Sequence, residues 1–516
     1  LRASFKNRQP DDGRRSRKRS RRHRAALFGA GAVLTAVIVL RLVLPDPPPR
    51  LRTNEMSEDG VRALVGSLAR PLREPSRSSQ AVVDFGVKLL RDSKLAGADG
   101  QPCASCHDPL RAWTKATPVA DSSRPRSRNV PSLSQLPTQG PYGWDGRDVN
   151  LIPFLTAHLE DAAAGALART SLAKIVRSRY ANEWKSAFGT ALPGTDVLEG
   201  DAPEAAPPPN VFTFVRQPSA PKHPALPLPT TELVKAPQDN STVIALAAGA
   251  LGTLGDSDLI TDVLQTAQAE RHAPAMELLL RATKTTPAPT AWSDEWAKLP
   301  QSTRDRLDTV ASGVGTALAA ALRQLVIRDA PFDRFARRVA AGATVSAALD
   351  TRFGELELAG LKVFAGPGGC QACHAGGDFS DGEFHNVGLP QLGTEIDLGR
   401  ALALVTVNPR VAPETAVAAL GAYRTPGLRN VALTAPYMHD GRFETLRDVL
   451  GHYNAPQPRP ALGTRDARLS LSPKFSREEI DALVAFLESL TSATPSGSLE
   501  AASRQPASPE GGAKQR

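Results

Sequence analysis

Two five-residue strings constrain this chain more than anything else in it: Cys103-Ala104-Ser105-Cys106-His107 and Cys370-Gln371-Ala372-Cys373-His374. Between them they use all four cysteines of the 516 residues. A C-x-x-C-H run is the attachment signal of c-type haem. Its two thiols lie about one helical turn apart and form thioethers with the two vinyl groups of one porphyrin, and the next residue presents an imidazole nitrogen to the iron. A four-thiol zinc site is the alternative, but it does not require His107 and His374 to follow their cysteines directly. The reading is therefore two covalent haems, one held by Cys103, Cys106 and His107, the other by Cys370, Cys373 and His374.

Covalent haem and an exported address go together, and the N-terminus supplies the address. Residues 1–24 form a basic tail; Ala25 to Leu40 then carry no charge, followed by Arg41, Leu42-Val43-Leu44 and Pro45. About twenty such residues just span a bilayer, with Arg41 near the end free to snorkel. No small-x-small cleavage site stands out before the Pro-rich run Pro45 to Pro49. Residues 25–44 thus read as an uncleaved transmembrane signal anchor, with 1–24 in the cytoplasm by the positive-inside rule. A cleaved signal peptide is the other reading, and both put the haem-bearing part in the periplasm. The formal charge of +9 belongs to the tail, which holds eleven Lys/Arg against two Asp. The remainder is balanced at 51 basic and 51 acidic residues. No net positive field is left for a polyanion, so no nucleic acid is expected as a partner.

Residues 45–75 read as a Pro- and Arg-rich stalk. The first haem domain, 76–189, closes with an amphipathic helix in which Leu172, Ile175, Val176, Tyr180, Trp184 and Phe188 recur at 3–4 spacing, with Ser171 before it and Gly189 after. Residues 190–300 read as an insertion, with a Pro-rich loop at 200–237 and Ala/Leu-rich helix at 240–285. Helices over 301–345 are expected to return to the first haem domain. The second haem domain, 346–490, ends in a helix opened by a Ser476/Glu479 capping box, with Ile480, Leu483, Val484, Leu487 and Leu490 as its buried stripe. The Ser/Pro/Gly/Ala-rich tail, 491–516, reads as disordered. The expected fold class is mainly α: two cytochrome c-like haem lobes, a Pro-rich and helical insertion, and the N-terminal anchor.

Further strings stand around the two haem motifs in a fixed order: Arg128-Asn129-Val130-Pro131-Ser132-Leu133, Trp144-Asp145-Gly146-Arg147, Pro331-Phe332-Asp333-Arg334, Phe384-His385-Asn386-Val387-Gly388, and the run from Arg424 to Phe443. In this order they resemble the bacterial di-haem cytochrome c peroxidases and their relative MauG, which oxidises a protein substrate. The resemblance covers about 80–345 discontinuously and 350–490 almost throughout. It implies that the first haem meets peroxide and the second passes electrons to it. The peroxidases often fill the distal position of the first haem with a His from the loop after it, but residues 108–157 contain no His and no Met. An open first site is expected; if another residue closes it, His158 is the one at hand.

The resemblance also implies a sixth ligand to the second iron fourteen residues past His439, which is Tyr453, where the peroxidases have Met and MauG has Tyr. His452 and Met438 are rivals by residue type, and a core tyrosine is the plain alternative. Trp144 matches the family's relay between the haems, although a bare Trp is more often core. Asn129, with the carbonyls of Thr434 and Pro436, matches an inter-haem calcium site of hard oxygen ligands; ordinary loop hydrogen bonding is the alternative. His385 and His439 are expected to be structural. One departure is clear: the family's acid–base Glu, about twenty residues past this Trp, falls on Ala164, followed by Gly165. Glu160 and Asp161 are the nearest carboxylates, and a one-turn shift would make Glu160 the distal acid–base group that peroxide heterolysis needs. The expected activity is peroxide reduction, with electrons from a small periplasmic cytochrome c or cupredoxin. MauG-like oxidation of a partner protein and non-catalytic electron transfer or redox sensing are the alternatives.

Overall fold

The computed structural model describes residues 56–69, 78–95, 103–115, 128–160, 167–194, 204, 206, 290–325, 329–390, 397–408, 411, 413–455, 463–469 and 474–492. The expected anchor at 25–44 with its basic tail, the Pro-rich loop, the helix at 240–285 and nearly all of the C-terminal tail lie outside these residues. Among the described residues no helix is long and apolar enough to cross a membrane.

The helices, in chain order, are α1 (Glu58–Leu68), α2 (Gln80–Arg91), α3 (Leu151–Glu160), α4 (Arg169–Phe188), α5 (Thr290–Lys298), α6 (Gln301–Arg323), α7 (Pro331–Ala340), α8 (Glu355–Ala365), α9 (Arg400–Val407), α10 (Pro413–Ala418), α11 (Leu446–Asn454) and α12 (Arg477–Glu488). The sole ladder among the described residues pairs β1 (Phe384–His385) antiparallel with β2 (Tyr423–Arg424), Phe384 facing Arg424 and His385 facing Tyr423.

Two large hydrophobic cores, one around each C-x-x-C-H turn, organise most of these elements, and a small third cluster joins α9 and α10 through Ala401, Val405, Ala416 and Leu420. In the first, α2, α3, α4 and α6 bury Phe85, Leu89, Leu155, Leu172, Val176, Trp184, Val310 and Val314 together. In the second, Phe332, Phe335, Phe353, Phe364, Phe379 and Phe486 stack with Leu361 and Leu483. Each lobe has one helix pair in which a glycine admits the neighbouring backbone. A Cβ on Gly86 of α2 would lie 1.9 Å from the Ala317 carbonyl oxygen of α6, and one on Gly360 of α8 would lie 1.9 Å from the Ala482 carbonyl oxygen of α12. Only glycine permits so close an approach.

Two of the expected caps are present. The Ser476 hydroxyl accepts from the Glu479 N–H at 3.2 Å, and the Glu479 carboxylate accepts from the Ser476 N–H at 2.9 Å. Gly189 closes α4 in the left-handed region at φ 71°. The helix starts at Arg169, three residues before the expected start, so that Ser171 lies inside it, with Leu172, Val176, Tyr180 and Trp184 buried.

Three domain expectations are corrected. The supposed stalk contains α1, whose Val61, Leu64, Val65 and Leu68 form one buried stripe in the second core. Four aliphatic side chains at helical spacing outweigh the Pro- and Arg-rich flanks, since each contributes about 1.5–3 kcal/mol on full burial. The segment 301–345 does not return as a unit to the first lobe. α6 does, but α7 buries Phe332, Phe335, Ala336 and Val339 in the second core. The end of the supposed insertion belongs to the first lobe, because Trp296 of α5 sits in its core.

The lobes also share a turn–helix unit. Pro141-Tyr142-Gly143-Trp144-Asp145-Gly146-Arg147 leads into α3, and Pro436-Tyr437-Met438-His439-Asp440-Gly441-Arg442 leads into α11. Each turn is closed by the Tyr N–H donating to the carbonyl of the residue after the Arg, at 2.6 Å from Tyr142 to Asp148 and 2.7 Å from Tyr437 to Phe443. Each helix then buries its first and fifth residues, Leu151 and Leu155 in one, Leu446 and Leu450 in the other.

Candidate haem sites and the seam between them

Each C-x-x-C-H string forms a single 3₁₀ turn, Cys103–Ser105 and Cys370–Ala372. The His107 N–H donates to the Cys103 carbonyl at 2.8 Å, and the His374 N–H to the Cys370 carbonyl at 2.8 Å. The turn thus holds the imidazole and its first cysteine in fixed relation. Each ring is then oriented by a carbonyl further on: His107 Nδ1 lies 3.1 Å from Trp113 O, and His374 Nδ1 lies 2.9 Å from Phe379 O. A carbonyl only accepts, so Nδ1 carries the proton in both rings and Nε2 keeps its lone pair for a metal. Trp113 and Phe379 both adopt positive φ, 63° and 56°. Holding a bulky residue there costs on the order of 1–3 kcal/mol, and both lobes accept it to orient the His. Burial, assisted by the neighbouring His158, pulls the His107 pKa down to about 4. Burial also lowers that of His374. Both rings are therefore neutral at pH 7 and available as ligands.

Around His107 the aromatic side chains of the turn–helix unit form a stack: Tyr142 on Phe154 at 5.5 Å between centroids, Phe154 on His158 at 6.4 Å, and His158 edge-on to His107 at 6.2 Å. Glu160, two residues on, faces elsewhere, since two helical steps turn about 200°. Its carboxylate is clamped by Arg169, at 2.6 Å to Nε and 3.0 Å to Nη2, and Arg169 also reaches Asp308 at 2.5 Å. The expected one-turn shift that would bring Glu160 over the first site is not what the structure arranges; the residue on that face is His158. Asp161, Ala164 and Gly165 lie outside the described residues.

In the second lobe, Tyr453 lies near Cys370 and Cys373. Burial, and then those two sulfurs, push its phenol above the usual range. Of its rivals, His452 is engaged through Nε2 with Val387 O at 3.0 Å. Met438 belongs to the interlobe turn, where its carbonyl accepts from Asn129 Nδ2 at 3.2 Å. His385 is held between Asp466, 2.7 Å from Nδ1, and Asp381, 2.9 Å from Nε2. Burial opposes its charge, but the two carboxylates prevail and hold its pKa at about 11. His439 stacks on Tyr423 with centroids 3.6 Å apart, and burial lowers its pKa to about 4.

Trp144 sits at the seam. Its indole N–H donates to Asn129 O at 2.8 Å, the Asn129 N–H donates to His439 O at 2.7 Å, and the Arg424 N–H donates to Trp144 O at 2.8 Å. The seam is fastened by charge as well. Arg128 pairs with Asp145 at 2.8 Å and with Asp397 at 2.6 Å, and Arg400 donates to the carbonyls of Asp145 and Gly146 at 2.9 and 2.6 Å. Asp397 and Arg400 are residues that sequence reasoning missed, because a salt bridge across 269 positions leaves no local pattern. Asn129 Nδ2 lies 2.5 Å from Pro436 O, while Asn129 Oδ1 is buried without a partner. Thr434 turns its hydroxyl to Val431 O at 3.0 Å. Arg424 is buried among neutral acceptors, Gln139 Oε1 at 2.8 Å and Gly143 O at 3.4 Å. Burial accordingly lowers its pKa to about 10. Such a guanidinium suits a bound carboxylate, which a porphyrin carries.

Residues 80–205 match the family model described as di-haem cytochrome c peroxidase. The methylamine utilization protein MauG of Methylorubrum extorquens is 36% identical over 178 residues, which is 34% of this chain and 43% of that protein. Over these stretches the chain is similar to the di-haem cytochrome c peroxidases and MauG. The cytochrome-c peroxidase IdrP2 of Denitromonas iodatirespirans is 24% identical over 438 residues, 81% of this chain and 84% of that one. The solved diheme peroxidase BthA of Burkholderia thailandensis is 19% identical and covers 82% of this chain and 90% of its own, with a TM-score of 0.49. The aligned part spans less than half the length of MauG. A di-haem family implies two haems, and the paired thiols, neutral ring nitrogens and buried Arg424 fit them.

Proposed function

We propose that this chain is a periplasmic di-haem peroxidase. Hydrogen peroxide takes two electrons and two protons at the first site to give two waters, with electrons from a small cytochrome c or cupredoxin entering at the second. When bound, the haems supply redox-active iron; the chain supplies ligands, route and shielding. His107 and His374 would hold the two haem irons through Nε2, each ring fixed by a carbonyl on Nδ1, and Tyr453 would offer its phenol oxygen to the second iron. An oxygen ligand there favours the ferric state over the ferrous, which thioethers favour. Trp144 connects the sites, and its place at the seam is the observation that carries the reading, since its indole and backbone bond both Asn129 and Arg424. Asn129 and the carbonyls of Pro436 and Thr434 would hold calcium. The orphaned Asn129 Oδ1 supports this, because turning the amide over sets two oxygens side by side for a cation to bridge.

Tyr453 in place of a thioether, together with the MauG relative, favours a second reading: oxidation of a partner protein's side chains. Full-length protein mixed with reduced small cytochrome c and hydrogen peroxide separates the two. Donor oxidation at catalytic rates supports the peroxidase. Failure of every donor, with oxidation of a co-purified protein, supports the MauG-like reading. Trp144→Phe should slow donor oxidation at least tenfold while both haem spectra persist; an unchanged rate removes Trp144 from the route.

A further inference from the structure

We infer that His158 is the second axial ligand of the first haem, so that the first site is closed at rest by two imidazoles rather than open. This rests on the haem reading above and goes beyond it, because the expected resting ligand, a His or Met within 108–157, is missing.

Distance carries the argument. His107 and His158 have ring centroids 6.2 Å apart, with planes inclined at 67°. A metal–imidazole bond is about 2 Å and a ring nitrogen lies about 1 Å from its own centre, so two imidazoles on opposite faces of one metal stand about 6 Å apart. A distal acid–base imidazole must leave room for a metal-bound oxygen and a hydrogen bond of about 3 Å, which moves its centroid several ångströms further out. The observed separation fits ligation and excludes that role at rest. His107 keeps its Nε2 lone pair, because Nδ1 carries the ring proton and donates it in a hydrogen bond to Trp113 O. Phe154 stacks parallel to the His158 ring at 16° and limits its rotation.

The internal repeat makes the same assignment independently. In the shared turn–helix unit Trp144 corresponds to His439, and both helices begin seven residues after that position, at Leu151 and Leu446. His158 follows Trp144 by fourteen residues, as Tyr453 follows His439. The first lobe thus presents a His where the second presents its Tyr. One frame delivers a sixth ligand to each site, from the same face of the corresponding helix. The C-terminal end of α3 is held by the Glu160–Arg169–Asp308 cluster, so opening the site means turning out the His158 side chain rather than displacing the helix.

Full-length ferric protein, examined by electron paramagnetic resonance and visible absorption, tests this. Wild type should show two low-spin haems. His158→Ala should convert one to high spin, with a charge-transfer band near the red edge of the spectrum, and leave the other signal in place. Added imidazole should return the variant to low spin. Its reaction with peroxide should be at least tenfold faster than that of wild type. A high-spin first haem in wild type, or a His158→Ala spectrum unchanged from wild type, overturns the inference while leaving the haem reading intact. Absence of covalent haem, read by intact mass on the same sample, overturns the haem reading itself.

Discussion

The two lobes are built on one frame, and they differ at the positions where the frame meets a haem. Both orient a proximal His with the carbonyl of a residue at positive φ, Trp113 in one and Phe379 in the other. Both pack a glycine helix against a partner backbone, and both run from a Pro-Tyr-x-x-Asp-Gly-Arg turn into a helix that buries its first and fifth residues. At the fourth place of that turn stands Trp144 in the first lobe and His439 in the second; fourteen residues further on stand His158 and Tyr453. An imidazole can be displaced as a neutral molecule, whereas an oxygen ligand gains from ferric iron. On the proposed ligation, the frame would fix where a sixth ligand arrives, and the residue type would decide whether the site can open.

The largest separation of the lobes comes from their thiols. Replacing Cys103 and Cys106 by Ser should remove one haem mass and leave the spectrum of the Tyr453 site. Replacing Cys370 and Cys373 should do the reverse. Haem-stained denaturing gels and intact mass read both, and the loss of both haems from either pair would show that the lobes do not fold independently around their haems.

Next in size is the seam. Arg128 is mostly buried between Asp145 and Asp397, and removing one member of a buried ion pair costs about 3–5 kcal/mol. Arg128→Met should lower the urea midpoint accordingly. The same cluster sets a pH dependence. Burial raises the Asp145 carboxyl, but Arg147 and Arg128 outweigh it and hold it far below the ordinary value. Asp397 is lowered as well, its burial outweighed by Arg128. Groups with depressed folded pKa values stabilise above their unfolded pKa of about 4 and lose that contribution as pH falls through the folded value. Wild type should therefore lose stability steeply below about pH 4, and Arg128→Met should show a shallower acid limb. Equal acid limbs would mean that the cluster is not what joins the lobes.

How far the chain could be read in advance depends on whether a pattern was local. The haem turns were legible because C-x-x-C-H packs attachment and ligation into five residues, and the Ser476/Glu479 box and the Gly189 stop were legible because caps are local chemistry. α1 was not: its stripe of Val61, Leu64, Val65 and Leu68 is short and flanked by Pro and Arg, and its burial depends on α7, nearly three hundred residues away. The lobe to which α7 belongs was illegible for the same reason, because Phe332 and Phe335 are apolar wherever they pack. At the site, Tyr453 is proposed by counting from His439, and its place beside Cys370 and Cys373 suits that role. The same count from Trp144 gives His158, a signal present in the sequence whose meaning depends on recognising the two turns as copies.

The glycine contacts offer a finer test of the shared frame. Gly86→Ala and Gly360→Ala each drive a methyl into a carbonyl oxygen of the facing helix. Overpacking of this kind costs about 1–3 kcal/mol, and the backbone contact places both at the upper end. Thermal melts should show comparable losses for the two variants. A large loss at Gly86 with almost none at Gly360 would show that the second lobe, with its phenylalanine stack, relaxes where the first cannot.

The smallest expected effect concerns Glu160, and it separates a catalytic carboxylate from a structural one. A general acid–base group contributes about a hundred- to ten-thousand-fold to rate, so Glu160→Gln would be nearly inactive in a peroxidase assay if that were its role. Its carboxylate is instead bound at both oxygens by Arg169, and burial raises its pKa while Arg169 opposes the rise. Glu160→Gln keeps the shape and one acceptor, and Arg169 retains Asp308. The variant should lose about 1.5–3 kcal/mol at most, the range for a hydrogen bond to a charged group, with first-site spectra and peroxide rate within twofold of wild type. A hundred-fold slower rate at unchanged stability would restore Glu160 to the distal face. It would also require α3 to be wound one turn out of register with α11, which is the strongest challenge the correspondence between His158 and Tyr453 could meet.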